Sequence, residues 1–490
     1  LVGLSLAGVF QIYQLIAAEN IQQRIFANAS VEFAFRLPRL SLSGLRGYYP
    51  PELVNRFFDI MTVQKGLSKF LFDFSMAAIQ IFFGLLLLAF YHPFFIAFGL
   101  SVVIILALFF RITGEPGLNT SLEESKHKYR LVGWLEEVAR NISTFKMAGH
   151  TSLPLKKTDQ LSMAYLKARR AHFSVLKRQY ISLIVMKVII AGSLLLLGGI
   201  LVFQQQMNLG QFVAAEIIIL LITSSVEKLI LSMDTIYDVL TGLEKIGTVT
   251  DLELEETVGV EKLEPAAVGL AIKAQDVTIR THNRHAPILK DISLEIRPGE
   301  KVGITGPMGS GKTVMLQLLS GLFDKMEGNL LYDDIPIKHL DLESLRHAIG
   351  DNLGQEDLLE ATLLENISLS REGVSNEDVK KVIELCDLRE FVEQLPEGMY
   401  TPLPSSGLGL AQSIKNRILM ARCFVGNHCM LLIEDTWQDI APELRERWMN
   451  HLLGKKGQTQ VMATNNPEIL GRMDRVIHMD KGRIESIIEN

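Results

Sequence analysis

The sequence predicts an α-helical membrane domain joined to an α/β phosphate-loop domain, and three observations predict it. The first half carries five apolar segments close to the length that crosses a bilayer. From residue 268 the pattern changes to short strands alternating with helices, the signature of a doubly wound α/β core. Within that second half lies an unbroken G-x-x-x-x-G-K-T loop, residues 306–313. A chain of 490 residues has room for two or three domains. The expected division is a membrane domain over 1–240, an acidic linker over 241–267 and a nucleotide domain over 268–490.

The apolar segments run over 1–18, 70–91, 94–110, 181–203 and 212–233. His92-Pro93 alone separates the second from the third, and a polar stretch at 204–211 separates the last two. Neither short connection contains lysine or arginine. The long connections are rich in both, including Arg36, Arg39 and Lys65 in the first and Lys126, Arg130, Lys156, Arg169 and Arg178 in the second. Positive charge stays on the cytoplasmic side, so the long loops and the phosphate-loop domain are expected there. The same count puts Leu1 outside, inside an apolar run. It predicts a multi-pass protein of the cell membrane, N-terminally truncated from a six-span parent. The long loops contain few proline or glycine breaks over 123–153 and 156–179, and so are expected to continue the membrane helices into the cytoplasm. Lys187, Glu216, Glu227 and Lys228 fall in or near the last two spans. Charge in hydrocarbon is costly, which makes them candidates for a polar cavity, although Glu227 and Lys228 fit a cytoplasmic helix end equally well.

The phosphate loop is flanked as its chemistry requires. Lys301–Thr305 reads as a buried strand and 314–319 as an apolar helix. Gly306, Gly309, Ser310 and Gly311 allow the backbone to turn its N–H groups inward on an anion. Lys312 is placed to reach the β- and γ-phosphates of a nucleoside triphosphate, and Thr313 to hold Mg²⁺ through its hydroxyl. Strands are expected at 270–279, 288–296, 300–305, 429–433 and 460–464, a hairpin at 328–337, and mostly helix over 375–421. The net charge of −6 gives no support for nucleic-acid binding. Cys386, Cys423 and Cys429 lack metal-ligand spacing and read as reduced core thiols.

Around these features the chain resembles an ABC exporter half-transporter. The resemblance rests on Leu289-Lys290-Asp291-Ile292-Ser293-Leu294 upstream of the loop, Thr362-Leu363-Leu364-Glu365-Asn366-Ile367, Arg417-Ile418-Leu419-Met420-Ala421-Arg422 and the closing Asp480-Lys481-Gly482-Arg483-Ile484. Glu136-Glu137 through Lys146 and Gly149 resemble the cytoplasmic loop that docks on the nucleotide domain. The resemblance implies ATP and Mg²⁺ as cofactors, a helical subdomain within the α/β domain, and a second half-transporter as partner. It also implies ATP sites shared head to tail between two subunits, with closure of the pair driving export.

Several positions depart from the family pattern. The signature motif falls on Leu410-Ala411-Gln412-Ser413-Ile414, which keeps only its leucine; Gly407 and Gly409 leave a shifted loop open. The acidic pair is reversed. Glu434 takes the Mg²⁺ position and Asp435, one methylene short, the position of the base. A slip of one residue would instead give Asp435 to the metal and Thr436 to the base. The switch histidine is replaced by Asn465, never cationic. The Mg²⁺-sensing glutamine aligns to Gly354, with Gln355 next to it. The adenine-stacking aromatic aligns near Thr281 and His282, and Trp437 stands where the family has a small polar residue. A base out of reach is slow, so ATP binding is expected with impaired hydrolysis. Two functions compete: a slow ATP-driven exporter subunit, as homodimer or heterodimer, and a regulatory or scaffold membrane protein that binds ATP without hydrolysing it.

Overall fold

The computed structural model describes residues 1–45, 50–255, 259–263, 269–280, 286–354 and 357–490. It divides into two units: Leu1–Arg39 with Gly47–Leu252, and Leu40–Arg46 with Glu253–Asn490.

The first unit is helical: α1 (Val2–Arg36), α2 (Pro50–Val54), α3 (Phe58–Lys69), α4 (Ser75–Ala89), α5 (Phe94–Arg140), α6 (Ile142–Met147), α7 (Leu153–Phe203), α8 (Leu209–Leu231) and α9 (Met233–Thr250). Among the described residues, four helical stretches are long and apolar enough to cross a membrane: Pro50–Ala89, Phe94–Arg140, Leu153–Phe203 and Leu209–Thr250. The expected first span lies on the 35-residue α1. The helices continue well past their apolar stretches as expected, with α5 running for 47 residues and α7 for 51. They are not continuous with each other. Asn141 leaves the helical region at φ −102°, ψ 29°, so α6 is a separate short helix.

The acidic connection expected from residue 241 begins as helix. Thr241, Gly242 and Val249 are buried, and Gly242 allows α9 to lie close against Val63 of α3. Apolar packing therefore overrides the polar composition there. Pro116 lies inside α5 and removes one backbone donor. Nearby, the Thr113 carbonyl accepts from Tyr237 Oη at 3.2 Å and Gln179 Nε2 at 3.4 Å, so the disturbed turn is stitched to α9 and α7. Gly117 makes room for Tyr237, since a Cβ there would lie 2.2 Å from its ring.

The second unit contains β1 (Ile272–Ile279), β2 (Leu289–Ile296), β3 (Lys301–Thr305), α10 (Lys312–Leu319), β4 (Glu327–Tyr332), β5 (Ile335–Pro336), α11 (Leu342–Ala348), β6 (Ile349–Asn352), α12 (Leu363–Ser368), α13 (Asn376–Leu385), α14 (Arg389–Gln394), α15 (Gln412–Phe424), β7 (Met430–Glu434), α16 (Pro442–Gly454), β8 (Thr459–Ala463), α17 (Pro467–Leu470), β9 (Arg475–Asp480) and β10 (Arg483–Glu489). An antiparallel sheet has the order β2-β1-β4-β5, and a six-stranded sheet the order β10-β9-β3-β8-β7-β6. In the larger sheet all pairs are parallel except β10 with β9. The expected strands and the hairpin all form.

The expected helical run over 375–421 is interrupted: between Gln394 and Gln412 no α-helix forms. Pro396, Pro402 and Pro404 remove donors there, and Gly407 and Gly409 have φ of +58° and +86°. Two buried clusters organise the unit. One joins both sheets, through Val277 and Ile292 of the antiparallel sheet and Val302, Ile304 and Leu432 of the larger one; the other gathers α12, α13, α15 and α16 around Ile367, Val379, Met420 and Trp448.

Candidate functional site

Parallel pairing lines up the carboxyl ends of four adjacent strands, where α/β sheets place their ligands. Ile304 of β3 pairs with Ala463 of β8, Ala463 with Glu434 of β7, and Ile433 with Asn352 of β6. Four loops therefore leave the sheet side by side: 306–311, 464–466, 435–437 and 353–354. Ser310, Asp435 and Asn465 lie on these loops, Glu434 ends β7, and Lys312 and Thr313 open α10 directly after the phosphate loop.

The phosphate loop has the backbone its motif needs. Gly309 and Gly311 adopt φ of +80° and +102°, where other residues are strained. Gly306 is required by close approach, because a Cβ would lie 2.1 Å from the Met479 carbonyl oxygen. Ser310 Oγ is buried with no hydrogen-bond partner among the described residues, an acceptor-seeking donor inside the cradle. Lys312 Nζ donates to the Gly306 and Pro307 carbonyls at 2.7 and 3.1 Å. Partial burial pushes the Lys312 pKa down, and the nearby Glu434 carboxylate opposes that shift.

Thr313 Oγ1 donates to Glu434 Oε1 at 2.7 Å, so a hydroxyl and a carboxylate meet at the mouth of the loop. Gly354 sits against the same carboxylate, where a Cβ would lie 3.0 Å from Glu434 Oε2. Gln355, Thr281 and His282 lie outside the described residues.

Asp435 is engaged elsewhere. Its Oδ2 accepts from Thr464 Oγ1 at 2.6 Å and its Oδ1 from the Trp437 backbone N–H at 3.3 Å. Asn465 turns toward the phosphate loop instead, its Oδ1 accepting from Thr305 Oγ1 at 2.9 Å and from the Gly306 N–H at 3.2 Å. Sequence reasoning missed Thr464 and Thr305, whose hydroxyls fix these two side chains. Their positions at strand ends beside the acidic pair were the available signal. Trp437 is fully buried, its ring edge-on to Trp448 at 5.4 Å between centroids. It belongs to the helical core, which explains how a bulky residue is tolerated in this loop.

Ala411, Gln412 and Ser413 stand at the start of α15. Ala411 occupies the cap position without a capping side chain. Gln412 Nε2 donates to Asn416 Oδ1 at 3.0 Å along the same helix, and Lys415 Nζ donates to the Ser406 carbonyl at 2.6 Å. Leu410 and Ile414 pack on the helical core. Among the described residues, no hydrogen bond joins these positions to the phosphate loop. Behind them, buried Asn366 donates to the Leu359, Ala361 and Thr362 carbonyls at 3.0 to 3.1 Å, and Arg422 Nε donates to the Asn366 carbonyl at 2.8 Å. Thr362 and Glu365 close a reciprocal capping box at the head of α12.

Two family models match in domain order. The ABC transporter transmembrane region matches residues 22–226, and the ABC transporter model matches 289–437. The chain is 23% identical to the transport/processing ATP-binding protein ComA of Streptococcus pneumoniae, over 99% of this chain and 68% of that protein. It is 27% identical to the cyclolysin secretion/processing ATP-binding protein CyaB of Bordetella pertussis, over 60% of this chain and 41% of that protein. With the ATP-dependent lipid A-core flippase of Saccharophagus degradans identity is 28%, over 54% of this chain and 43% of that protein. Among solved structures, a bacterial Atm1-family ABC exporter with ATP bound superimposes with a TM-score of 0.84 at 20% identity, over 98% of this chain and 83% of that chain. With both models in order and the fold matched almost end to end, the chain carries an ABC transporter transmembrane region fused to an ABC transporter ATP-binding domain, in the fold of an ABC exporter.

Proposed function

We propose that this half-transporter grips ATP with Mg²⁺, pairs with a second half-transporter in the bilayer, and couples closure of the paired ATP-binding domains to export at a slow hydrolytic rate. The observation that carries this reading is the contrast between adjacent residues of one loop. Glu434 meets Thr313 at the phosphate loop, while Asp435 is tied to Thr464 and the Trp437 N–H.

The donor set suits Mg²⁺, a hard cation held by few protein oxygens together with phosphates and water. Thr313 and Glu434 are the residues that would hold it. When bound, it offsets charge on the phosphate oxygens. Lys312 would exchange its loop carbonyls for the anion, and the unpartnered Ser310 hydroxyl would gain an acceptor. Gly306, Gly309 and Gly311 shape the cradle.

Turnover lacks matching support. Asp435 is the weak candidate base, and Asn465 in the switch position is neutral and already committed to Thr305 and Gly306. Ala411, Gln412 and Ser413 would face the partner's nucleotide without the close-approach glycines of the family motif. Gln355 remains the candidate sensor of the metal. The relatives named above are called processing, secretion and flippase proteins, which share no single substrate, so none is assigned.

The test is ATP binding and phosphate release on one preparation of the chain in nanodiscs. Saturable binding is expected, abolished by Lys312→Ala, with turnover far below the median enzyme rate of about 10 per second. Turnover near that median would refute slow hydrolysis, and absence of ATP binding would refute the whole reading.

A further inference from the structure

Three of the four charged residues flagged in the last two membrane spans converge on one cleft. Lys187 of α7 and Glu216 and Glu227 of α8 line it, with Thr223 and Ser224 between them. Lys228 is exposed and does not line it. The cleft has a volume of 460 Å³, within the usual range for small-molecule sites. Its remaining walls are apolar, including Leu194, Leu195, Ile219 and Leu220.

The charges do not cancel. Lys187 Nζ is bonded to Glu227 Oε2, and both side chains are about one-third exposed. Glu216 lies three turns away along α8, about 16 Å by helical rise, beyond reach of that lysine. No described side chain forms a hydrogen bond or ion pair with Glu216. An unpaired carboxylate among leucines and isoleucines within an apolar span is costly and marks a functional position by default. What the cleft lacks is one positive charge at the level of Glu216, with apolar surface around it.

We propose that this cleft receives an amphipathic cation, with Glu216 as the counter-ion and the α7 and α8 side chains around it taking the apolar body. The occupant is the molecule in transit, so the proposal rests on the export reading and gives it a substrate class. The fixed Lys187–Glu227 pair closes one end of the cleft to a second cation, because Glu227 is already neutralised. A dianionic or neutral occupant would leave Glu216 unpaired in hydrocarbon, so the cleft selects by charge.

The test uses the chain in nanodiscs with two probes matched in size and opposite in charge, tetraphenylphosphonium and tetraphenylborate. Empty nanodiscs subtract partition into lipid. Saturable binding of the cation and none of the anion is expected. Glu216→Gln should weaken cation binding about 10-fold or more, and Glu216→Asp should hold it within about 3-fold. ATP affinity should be unchanged in both, which also reports that the variants are folded. Equal binding of the two probes, equal cation binding by wild type and Glu216→Gln, or no saturable binding at all would each overturn the proposal. The probe comparison needs no variant, so a misfolded mutant cannot hide the answer. Normal ATP binding without cation binding sinks this proposal alone. Cation binding without ATP binding sinks the export reading and leaves the cleft standing.

Discussion

Replacing Asp435 by Asn asks directly whether this carboxylate takes a proton from water. A working general base contributes about 10²- to 10⁴-fold, and it acts only within about 2.6–3.2 Å of the proton it removes. Asp435 is one methylene shorter than the glutamate of the family pattern, which sets its carboxylate back by roughly one C–C bond, about 1.5 Å. Contact at 3 Å would then become a gap above 4 Å. The carboxylate is also held away, by Thr464 Oγ1 at 2.6 Å and the Trp437 N–H at 3.3 Å. Asn keeps an acceptor for one of these donors, so the loop should survive the change. Phosphate release by Asp435→Asn in nanodiscs is therefore expected to fall by less than about 3-fold, against the 10²-fold or more that a competent base would lose. Asp435→Glu should instead raise it, by up to roughly 10-fold, held below the full general-base gain because Asn465 and the 411–413 segment are also altered and such effects are not additive. A loss beyond 100-fold in Asp435→Asn would refute the reasoning and make Asp435 the base.

Gly306→Ala should abolish ATP binding in an equilibrium assay, because its Cβ would lie 2.1 Å from the Met479 carbonyl oxygen and displace the loop; retained affinity would show that the loop relaxes. Lys187→Leu leaves the half-buried Glu227 without its partner and should cost about 1–3 kcal/mol, most of it recovered when Glu227→Leu is added; thermal unfolding in nanodiscs reads both, and equal stability of the single and double variants would count against the pairing. Acidification from pH 7 to 5.5 should lower the unfolding temperature of the ATP-binding domain. Burial, reinforced by Arg371 and Lys455 at His428 and by Lys455 at His451, holds both pKa values below the ordinary histidine range. The unfolded chain then takes up protons near pH 6.5 that the folded chain refuses, so stability is lost as pH falls through that value and below. A double His→Gln variant at 428 and 451 should flatten the profile, and an unchanged slope would refute the assignment.

Much of this structure could be read from local pattern. The strand before Gly306 and the helix after Thr313 are continuous apolar runs around a glycine loop, and nothing distant is needed to form them. Thr362 and Glu365 sit three residues apart and cap α12 with no help from elsewhere. What stayed hidden depends on partners far along the chain. Asp435 meets Thr464 across 29 residues, a contact that only the pairing of Glu434 with Ala463 brings about. The short strand β6 was missed because Ile349-Gly350-Asp351-Asn352 has no apolar run; its neighbour β7 makes it a strand. The helical start of the expected linker was likewise set by burial of Thr241 and Val249, against their polar surroundings. The sequence set Glu227 apart from Glu216 only as a possible helix-end residue, and the position of Lys187 shows instead that Glu227 is the neutralised acid.

The uninterrupted length of α7 has a mechanical consequence. Its 51 residues span about 76 Å, while the hydrocarbon layer is only about 30 Å thick. Roughly 45 Å of rod therefore projects past the layer, and a tilt of 5° at the membrane would sweep its far end through about 4 Å. From Leu155 to Tyr180 this overhang contains neither glycine nor proline, so it resists bending. Its neighbour α5 carries Gly114, Pro116 and Gly117 just past its apolar stretch. One arm is a stiff lever, and the disturbed turn of the other is tied to that lever through Gln179, so a tilt of α7 pulls directly on the proline turn of α5.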